Sequence, residues 1–247
     1  MPTLIQKIAL QARQTFRSTG VGPGPSAENL GQLRKLVSQV RVEDVGLEGS
    51  RRSNKSGKGP PVTYMHICET PCFSLGVFLL RPGASIPLHD HPGMHGLLKV
   101  LYGTLRISGF DRLEGTEQPS PPCQSGAVRR AVLRSVGEFG DQSPACLLGP
   151  HRENLHQICA VGGEAAFLDI LAPPYDPSDG RDCHYYKLWS PTAACPTASP
   201  GGGAEGSGED STAGGGAPQK EVWLLEIPQP DDFWCGGEPY PGPRVSI

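Results

Sequence analysis

Apolar residues recur at helical spacing in two stretches near the N-terminus. In the first, the residues that share one helical face are Leu4, Ile5, Ile8, Ala12 and Phe16. The second follows "SAEN", where Ser26 or Asn29 can cap a helix whose apolar face is made by Leu30, Leu33, Val37 and Val40. We therefore predict two helices within residues 1–45.

The pattern changes at Val62 to short runs of apolar and β-branched residues separated by glycine and proline. Examples are "VTYMHICE", "FSLGVFLL", "HQICAVGG" and "AAFLDILAPP". Many short strands joined by turns are typical of a sandwich or a barrel. The pattern predicts a mainly β fold whose barrel core spans residues 62–189, with the N-terminal helices packed outside it.

Two segments interrupt this organisation. Residues 50–59 place four basic residues among serine and glycine, which predicts a solvated loop. In residues 190–219, 25 of 30 positions are Gly, Ala, Pro, Ser or Thr, a composition that predicts a disordered insertion. Residues 220–247 are apolar and aromatic again but too few to fold alone, so we expect them to return to the barrel and complete a single domain over residues 1–247.

Composition limits the classes of function. The net charge of −3 lacks the basic excess typical of nucleic-acid binders, and no apolar run reaches the roughly 18 residues of a membrane span. The eight cysteines are irregularly spaced and the N-terminus lacks a secretory pattern, so we expect thiols and a cytoplasmic protein. Residues 1–27 contain no Asp or Glu, which leaves a mitochondrial transit peptide as the alternative. No pattern indicates a homo-oligomer interface, and we expect a monomer.

Three of the seven histidines lie within "IPLHDHPGMHG". In a strand, His89 and His91 would share a face with Cα atoms roughly 6.6 Å apart, so two imidazoles can converge on one metal ion. Two surface or hydrogen-bonded histidines are the alternative. The surrounding residues decide between these interpretations.

The stretch "RPGASIPLHDHPGMHGLLKVLYGTL" resembles the first signature of the cupin superfamily, which implies a double-stranded β-helix barrel. The glycine and histidine positions in register are Gly83, His89, His91 and Gly103. The position of the acidic ligand is occupied by Gly96, and the nearest alternative ligand is His95, one residue away. The sequence therefore predicts a centre without a carboxylate.

The resemblance to the cupin superfamily implies a further histidine on a later strand, in a second signature, and "GPHRENLHQICAVGG" offers two candidates. We favour His156 because it begins a strand-like run, whereas His151 follows Pro150 in a polar turn. Three neutral imidazoles suit zinc, copper, iron or nickel and leave the ion its full double charge. Further positions on the ion stay open for substrate.

The strings "IPLHDHPGMHGLLKVLYG", "NLHQI" and "AAFLDILAPPYDPSDGRDCHYYKLW", with "WLLEIPQPDDFWCGGEPYPGP" near the end, resemble the thiol dioxygenases, a family that includes the plant cysteine oxidases. The resemblance covers nearly the whole chain. It implies an Fe(II) enzyme that adds both atoms of O₂ to a thiol sulfur and gives a sulfinic acid. The implied substrates are cysteamine and proteins with an N-terminal cysteine, whose oxidation feeds an arginine-dependent degradation route and so senses oxygen. The implied iron ligands are His89, His91 and His156.

Other candidate residues follow in "FLDIL" and "PPYDPSDGRDCHYY". Cys183 and Tyr185 would share a strand face, and thiol dioxygenases are known for a Cys to Tyr thioether near iron; a buried Cys beside a hydrogen-bonded Tyr is the alternative. The Tyr185 hydroxyl is the predicted donor to bound thiolate or oxygen. Asp169 would hold a substrate ammonium or orient a ligand histidine. Tyr175 and Asp176 would line the entrance, although Asp176 also fits a solvated turn.

Two other classes of protein remain open. In a non-catalytic cupin the metal would stabilise the barrel or a partner interface, and a fourth ligand such as His95 would close the site. In a zinc or nickel hydrolase or isomerase, three histidines would serve equally well.

Overall fold

The computed structural model describes residues 2–17, 24–48, 59–113, 115, 127–190 and 220–247. The predicted insertion, apart from Ser190, and most of the predicted basic loop lie outside these residues. The helices are α1 (Leu4–Phe16) and α2 (Ala27–Ser38), followed by a 3₁₀ turn (Val42–Val45). The strands are β1 (Val62–Thr70), β2 (Phe73–Leu80), β3 (Ser85–Asp90), β4 (His95–Arg112), β5 (Val128–Phe139), β6 (Cys146–Leu148), β7 (Leu155–Ala172), β8 (Tyr185–Trp189), β9 (Glu221–Ile227) and β10 (Cys235–Gly237).

Both predicted helices are present and pack on the outside of the barrel. Each begins at a side-chain cap, because the Thr3 hydroxyl accepts from the Gln6 N–H and the Ser26 hydroxyl accepts from the Asn29 N–H. The apolar faces of the helices are buried in one core cluster with residues of β2. Val40 lies beyond the end of α2 but is buried in the same cluster. No helix among the described residues is long and apolar enough to cross a membrane.

Two long strands organise the barrel. β4 and β7 run antiparallel along nearly their whole length, from His95 opposite Ala172 to Phe110 opposite Leu155. On its other side, β7 pairs with β3 through its first half and with β2 through its second half. The pairings β3–β8, β8–β9, β9–β5, β5–β4 and β4–β7 close a ring with β7–β3. The prediction of a mainly β, cupin-like double-stranded β-helix is therefore confirmed.

The register between β3 and β7 determines where the candidate site forms. His89 on β3 lies opposite His156 on β7. At the end of β3, His89 also lies opposite Tyr185, the first residue of β8. Residues that are far apart in sequence thus meet at one end of the barrel, where three strands lie side by side.

A buried lysine lies elsewhere on β4. Lys99 is 2% exposed, and its Nζ donates to the backbone carbonyls of Asp141 and of Ser143, the latter at 2.7 Å. Burial lowers the pKa of this ammonium. Lys99 therefore ties β4 to the turn between β5 and β6.

Candidate metal centre

Three histidine side chains meet inside the barrel. The ring centroids of His89, His91 and His156 lie 4.7, 4.8 and 4.7 Å apart, and one nitrogen from each ring lies within 4.8 Å of the others. All three residues are buried, at 8%, 2% and 8% exposure. This triangle has the donor set and the size of a three-imidazole metal site.

Backbone carbonyls fix the orientation of two of the rings. His89 Nδ1 lies 2.8 Å from the Pro87 carbonyl, and His91 Nδ1 lies 3.0 Å from the Asn154 carbonyl. An Nδ1–H that donates to a carbonyl leaves Nε2 as the nitrogen with a free lone pair. The tautomer that coordinates a metal is thus selected by the fold.

Asn154 also holds His91 through its side chain, which the sequence did not reveal. Its Nδ2 donates to the His91 carbonyl at 2.6 Å, while the His91 N–H donates to its Oδ1 at 3.4 Å. A second donation from Nδ2 reaches the Gly149 carbonyl at 3.1 Å. Asn154 therefore links His91, which follows β3, to the loop that precedes β7.

Burial keeps the three imidazoles neutral. It lowers the pKa of His91 to about 3, with a further contribution from His89, and it lowers the pKa of His89 as well. The pKa of His156 lies well below its usual value, because burial and then the two neighbouring rings disfavour its charged form. Neutral rings present lone pairs, and three of them bring no negative charge to a bound cation.

Asp90 connects the histidine strand to the segment that begins β8, and sequence reasoning missed it. Its carboxylate accepts from the Tyr186 hydroxyl at 2.9 Å and from the His184 N–H at 2.9 Å, and it lies 3.2 Å from His184 Nδ1. Its backbone carbonyl accepts from the Tyr175 hydroxyl at 2.7 Å. Through these bonds one buried carboxylate sets the position of Tyr185 relative to the histidines.

Cys183 lies between two tyrosines. Burial raises the pKa of its thiol to about 11, and the neighbouring hydroxyls of Tyr175 and Tyr185 act in the opposite direction. The Tyr185 ring centroid is 6.4 Å from that of His89, and the Tyr175 centroid is 5.6 Å from that of His91. The structure therefore brings the predicted Cys183 and Tyr185 together beside the histidines.

A cavity of about 460 Å³ joins these groups. The predicted site residues all line it, namely His89, His91, His156, Asp169, Tyr175, Cys183 and Tyr185. Burial raises the pKa of Asp169 to about 7, so this carboxyl titrates near neutrality. The C-terminal segment adds Gln229, Phe233, Trp234 and Cys235 to the lining, and the sequence had not predicted these residues.

The alternative ligands lie elsewhere. The His95 ring centroid is 6.2 Å from that of Phe16 in α1, and His151 is exposed in the loop before β7.

Asp176 and Gly96 have structural roles. Asp176 caps a 3₁₀ turn by accepting from the Ser178 N–H at 3.0 Å, which agrees with its interpretation as a turn residue. At Gly96, an added Cβ would lie 2.8 Å from the Leu148 Cγ, so Leu148 occupies the space where a side chain would begin.

Together, the closed barrel and the buried histidine triangle define a cupin with a three-histidine centre. The chain belongs to the PCO_ADO family, whose model matches residues 36–245. It is 54% identical over 263 residues to the 2-aminoethanethiol dioxygenase of Mus musculus, with 99% of this chain and 97% of the relative covered. It is 32% identical over 191 residues to plant cysteine oxidase 1 of Arabidopsis thaliana, with 74% and 63% covered. The expected resemblance to the thiol dioxygenases is confirmed.

Solved structures with a similar barrel are more distant. A cupin superfamily protein from Desulfitobacterium hafniense is 14% identical, with a TM-score of 0.32 over 48% of this chain and 83% of that one. KdgF from Halomonas is 15% identical, with a TM-score of 0.33 over 49% and 89%. The strand pairings of this chain, rather than these likenesses, define its fold.

Proposed function

We propose that this protein is an Fe(II)-dependent thiol dioxygenase. It adds both atoms of O₂ to the sulfur of cysteamine or of an N-terminal cysteine, and the product is a sulfinic acid. The observation that carries the proposal is a neutral three-histidine centre that opens into the same cavity as Asp169. The names of the relatives, 2-aminoethanethiol dioxygenase and plant cysteine oxidase, support the same reaction.

His89, His91 and His156 are the proposed iron ligands. Imidazole is a common ligand of iron, and the carbonyl contacts of His89 and His91 direct Nε2 toward the shared centre. Because the three ligands are neutral, an anionic thiolate is a favourable further ligand. Bound iron would supply Lewis acidity toward the thiol and the redox chemistry that O₂ requires.

Asp169 is the proposed partner of the substrate amine. Cysteamine and an N-terminal cysteine both carry an ammonium two carbons from the sulfur. A carboxylate in the cavity attracts that ammonium while the thiol lies at the histidines. With both ends held, the sulfur is oriented for reaction.

Tyr185 and Cys183 are the proposed neighbours of the reacting sulfur. Burial raises the pKa of the Tyr185 hydroxyl, so it stays protonated and available as a donor at neutral pH. We propose that Cys183, which lines the same cavity, fixes this hydroxyl either through a hydrogen bond between the two side chains or through a thioether. Tyr175, fixed by its bond to the Asp90 carbonyl, forms part of the cavity wall.

In the cell, oxidation of an N-terminal cysteine would commit a protein to arginine-dependent degradation. The protein would then act as an oxygen sensor, because the rate of this oxidation follows the supply of O₂. Cysteamine would be the small-molecule substrate of the same site.

Isotope labelling tests the reaction directly. The iron-loaded protein is mixed anaerobically with cysteamine or with a short peptide that has an N-terminal cysteine, and ¹⁸O₂ is then admitted. Mass spectrometry should detect two labelled oxygen atoms on the sulfur, and no gain with the metal-free protein or with His156→Ala. Absence of label on both substrates, with iron bound at full occupancy, would overturn the proposed function.

A further inference from the structure

A second cavity of about 480 Å³ lies beside the cavity at the histidines. The two share the lining residues Phe78, Asp169, Leu171, Tyr175 and Cys235. The outer cavity extends away from the histidines between β1, β2 and β10, where Tyr64, Glu69 and Gly76 line it. Asp169 therefore lies at the junction of an inner and an outer compartment.

The combined space is much larger than the smaller of the proposed substrates. Cysteamine consists of two carbons, a nitrogen and a sulfur, whereas cavities of roughly 300–1,000 Å³ usually hold drug-sized ligands. In the proposed function, the inner compartment holds the sulfur beside the histidines and the amine beside Asp169. The outer compartment is left for groups that only a longer substrate has.

The charges that line the two compartments have one sign. Among the described residues of the lining, Asp169 and Glu69 are carboxylates and none is a lysine or an arginine. Both carboxylates act on the same neighbour, since the pKa of Tyr64 is raised by burial, then by Asp169 and then by Glu69. A cation is thus the favoured occupant of the outer compartment.

The strand register separates the two carboxylates by a few residues of extended peptide. Asp169 lies opposite Gly76 on β2, and Glu69 on β1 lies opposite Ser74, two residues further along β2. Two strand spacings and two residues of rise correspond to a Cα separation of about 12 Å. An extended chain covers that distance in about three residues.

The floor between the carboxylates is aromatic. An added Cβ at Gly76 would lie 2.2 Å from Tyr64 Cε2, so the Tyr64 ring lies directly over this glycine. The ring centroid of Phe78 is 4.8 Å from that of Tyr64. An aromatic surface beside a carboxylate accommodates the aliphatic stem and the charged end of a lysine or an arginine.

We propose that the outer compartment binds the residues that follow an N-terminal cysteine, and that Glu69 selects a cationic side chain among the second to fourth residues. This inference rests on the proposed function for the identity of the substrate. It makes Glu69 a specificity-determining residue for protein substrates, while the inner compartment alone holds cysteamine.

Anaerobic binding tests this selection without turnover. The iron-loaded protein is titrated under argon into peptides with an N-terminal cysteine and a C-terminal fluorophore, which differ only by Lys, Gln or Glu at the second, third or fourth residue. At the best position we expect the Kd of the Lys peptide to be about tenfold lower than that of the Glu peptide, because the exposed Glu69 carboxylate attracts the first peptide and repels the second. Air is then admitted, and sulfinic acid is measured by mass.

The variant Glu69→Gln should reduce the Lys to Glu ratio of Kd values to near one, and Glu69→Lys should invert it. Glu164→Gln, at an exposed carboxylate on β7, serves as the matched control and should keep the wild-type ratio. A charge preference that persists in Glu69→Gln, or no preference in the wild type, would overturn the subsite. Failure to oxidise any substrate after air is admitted would instead overturn the proposed function, since the Kd ratio is measured before any turnover.

Discussion

Lys99 and the three histidines are both buried polar groups in the barrel, but their hydrogen bonds differ. The ammonium of Lys99 donates to two carbonyls of one turn, so the fold provides its acceptors. At the histidines, the hydrogen bonds of His89 and His91 use Nδ1 and leave Nε2 directed at a cavity. A polar group whose partners are all internal stabilises structure, whereas one whose free atoms converge on a cavity is arranged for a ligand.

The strongest test of the difference between Lys99 and the histidines is to replace one of the three buried histidines. His89→Ala or His156→Ala should abolish thiol oxidation and weaken metal binding by more than the roughly 10–100-fold typical of groups that only orient a ligand. Metal content and oxygen uptake measure the two effects, and circular dichroism checks the fold. His151→Ala is the matched control at an exposed histidine. Full iron content in either buried variant would remove that residue from the site.

Lys99→Met should reduce stability without affecting the metal. The apolar chain of similar size leaves the carbonyls of Asp141 and Ser143 without the buried ammonium that donates to them, so we expect the free energy of unfolding to fall by about 2 kcal/mol. Urea denaturation measures this, with Lys187→Met, at an exposed lysine on β8, as control. Weaker iron binding in Lys99→Met would contradict the separation between a structural and a ligand-binding polar group.

Asp90→Asn tests a buried side chain whose partners are all internal, like those of Lys99, but which lies next to the histidines. The amide retains the size of the side chain but cannot accept from both the Tyr186 hydroxyl and the His184 N–H as the carboxylate does. We expect kcat to fall about tenfold because Tyr185 loses its fixed position. Asp182→Asn, at an exposed carboxylate that accepts from the Cys183 N–H, is the control. Equal losses in the two variants would count against a specific role for Asp90.

The smallest expected effect is a pH dependence at Asp169. Its pKa of about 7 in the folded protein predicts that the carboxylate fraction rises about tenfold from pH 6 to pH 8, and the KM for cysteamine should fall accordingly. The raised pKa also means that the folded state binds more protons than the unfolded state, so this group lowers stability as pH rises from about 4 to 7. Steady-state kinetics and thermal unfolding at several pH values measure both trends. An Asp169→Asn variant with the wild-type profiles would exclude this residue as their origin.

The sequence predicted those features that repeat at a regular spacing. Helical periodicity predicted α1 and α2, short apolar and β-branched runs between turns predicted the barrel, and the His-x-His pair together with the resemblance to the cupin signatures predicted the histidine triangle. These signals are readable because side chains on one face of a helix or strand recur every three to four or every two residues.

Hydrogen bonds between residues far apart in the sequence were missed because they have no such signal. In the sequence, Asp90 is simply the residue between two histidines. In the structure, its carboxylate and carbonyl accept hydrogen bonds from Tyr175, His184 and Tyr186. Asn154 and Lys99 donate to backbone carbonyls whose positions depend on the folded chain. Phe233 and Cys235 reach the cavity from the C-terminal segment, and only the tertiary fold brings them there.

The packing of Leu148 against Gly96 bears on how such a centre changes over evolutionary time. A single substitution of Gly96 to glutamate would place a carboxylate at the cupin ligand position, but its Cβ would overlap the leucine. A smaller residue at position 148 would have to arise as well, and by itself it would leave a hole beside the glycine. Each single change therefore costs stability, so a carboxylate ligand at position 96 requires substitutions at both positions, and an apolar residue on β6 restricts which side chains can join the three histidines.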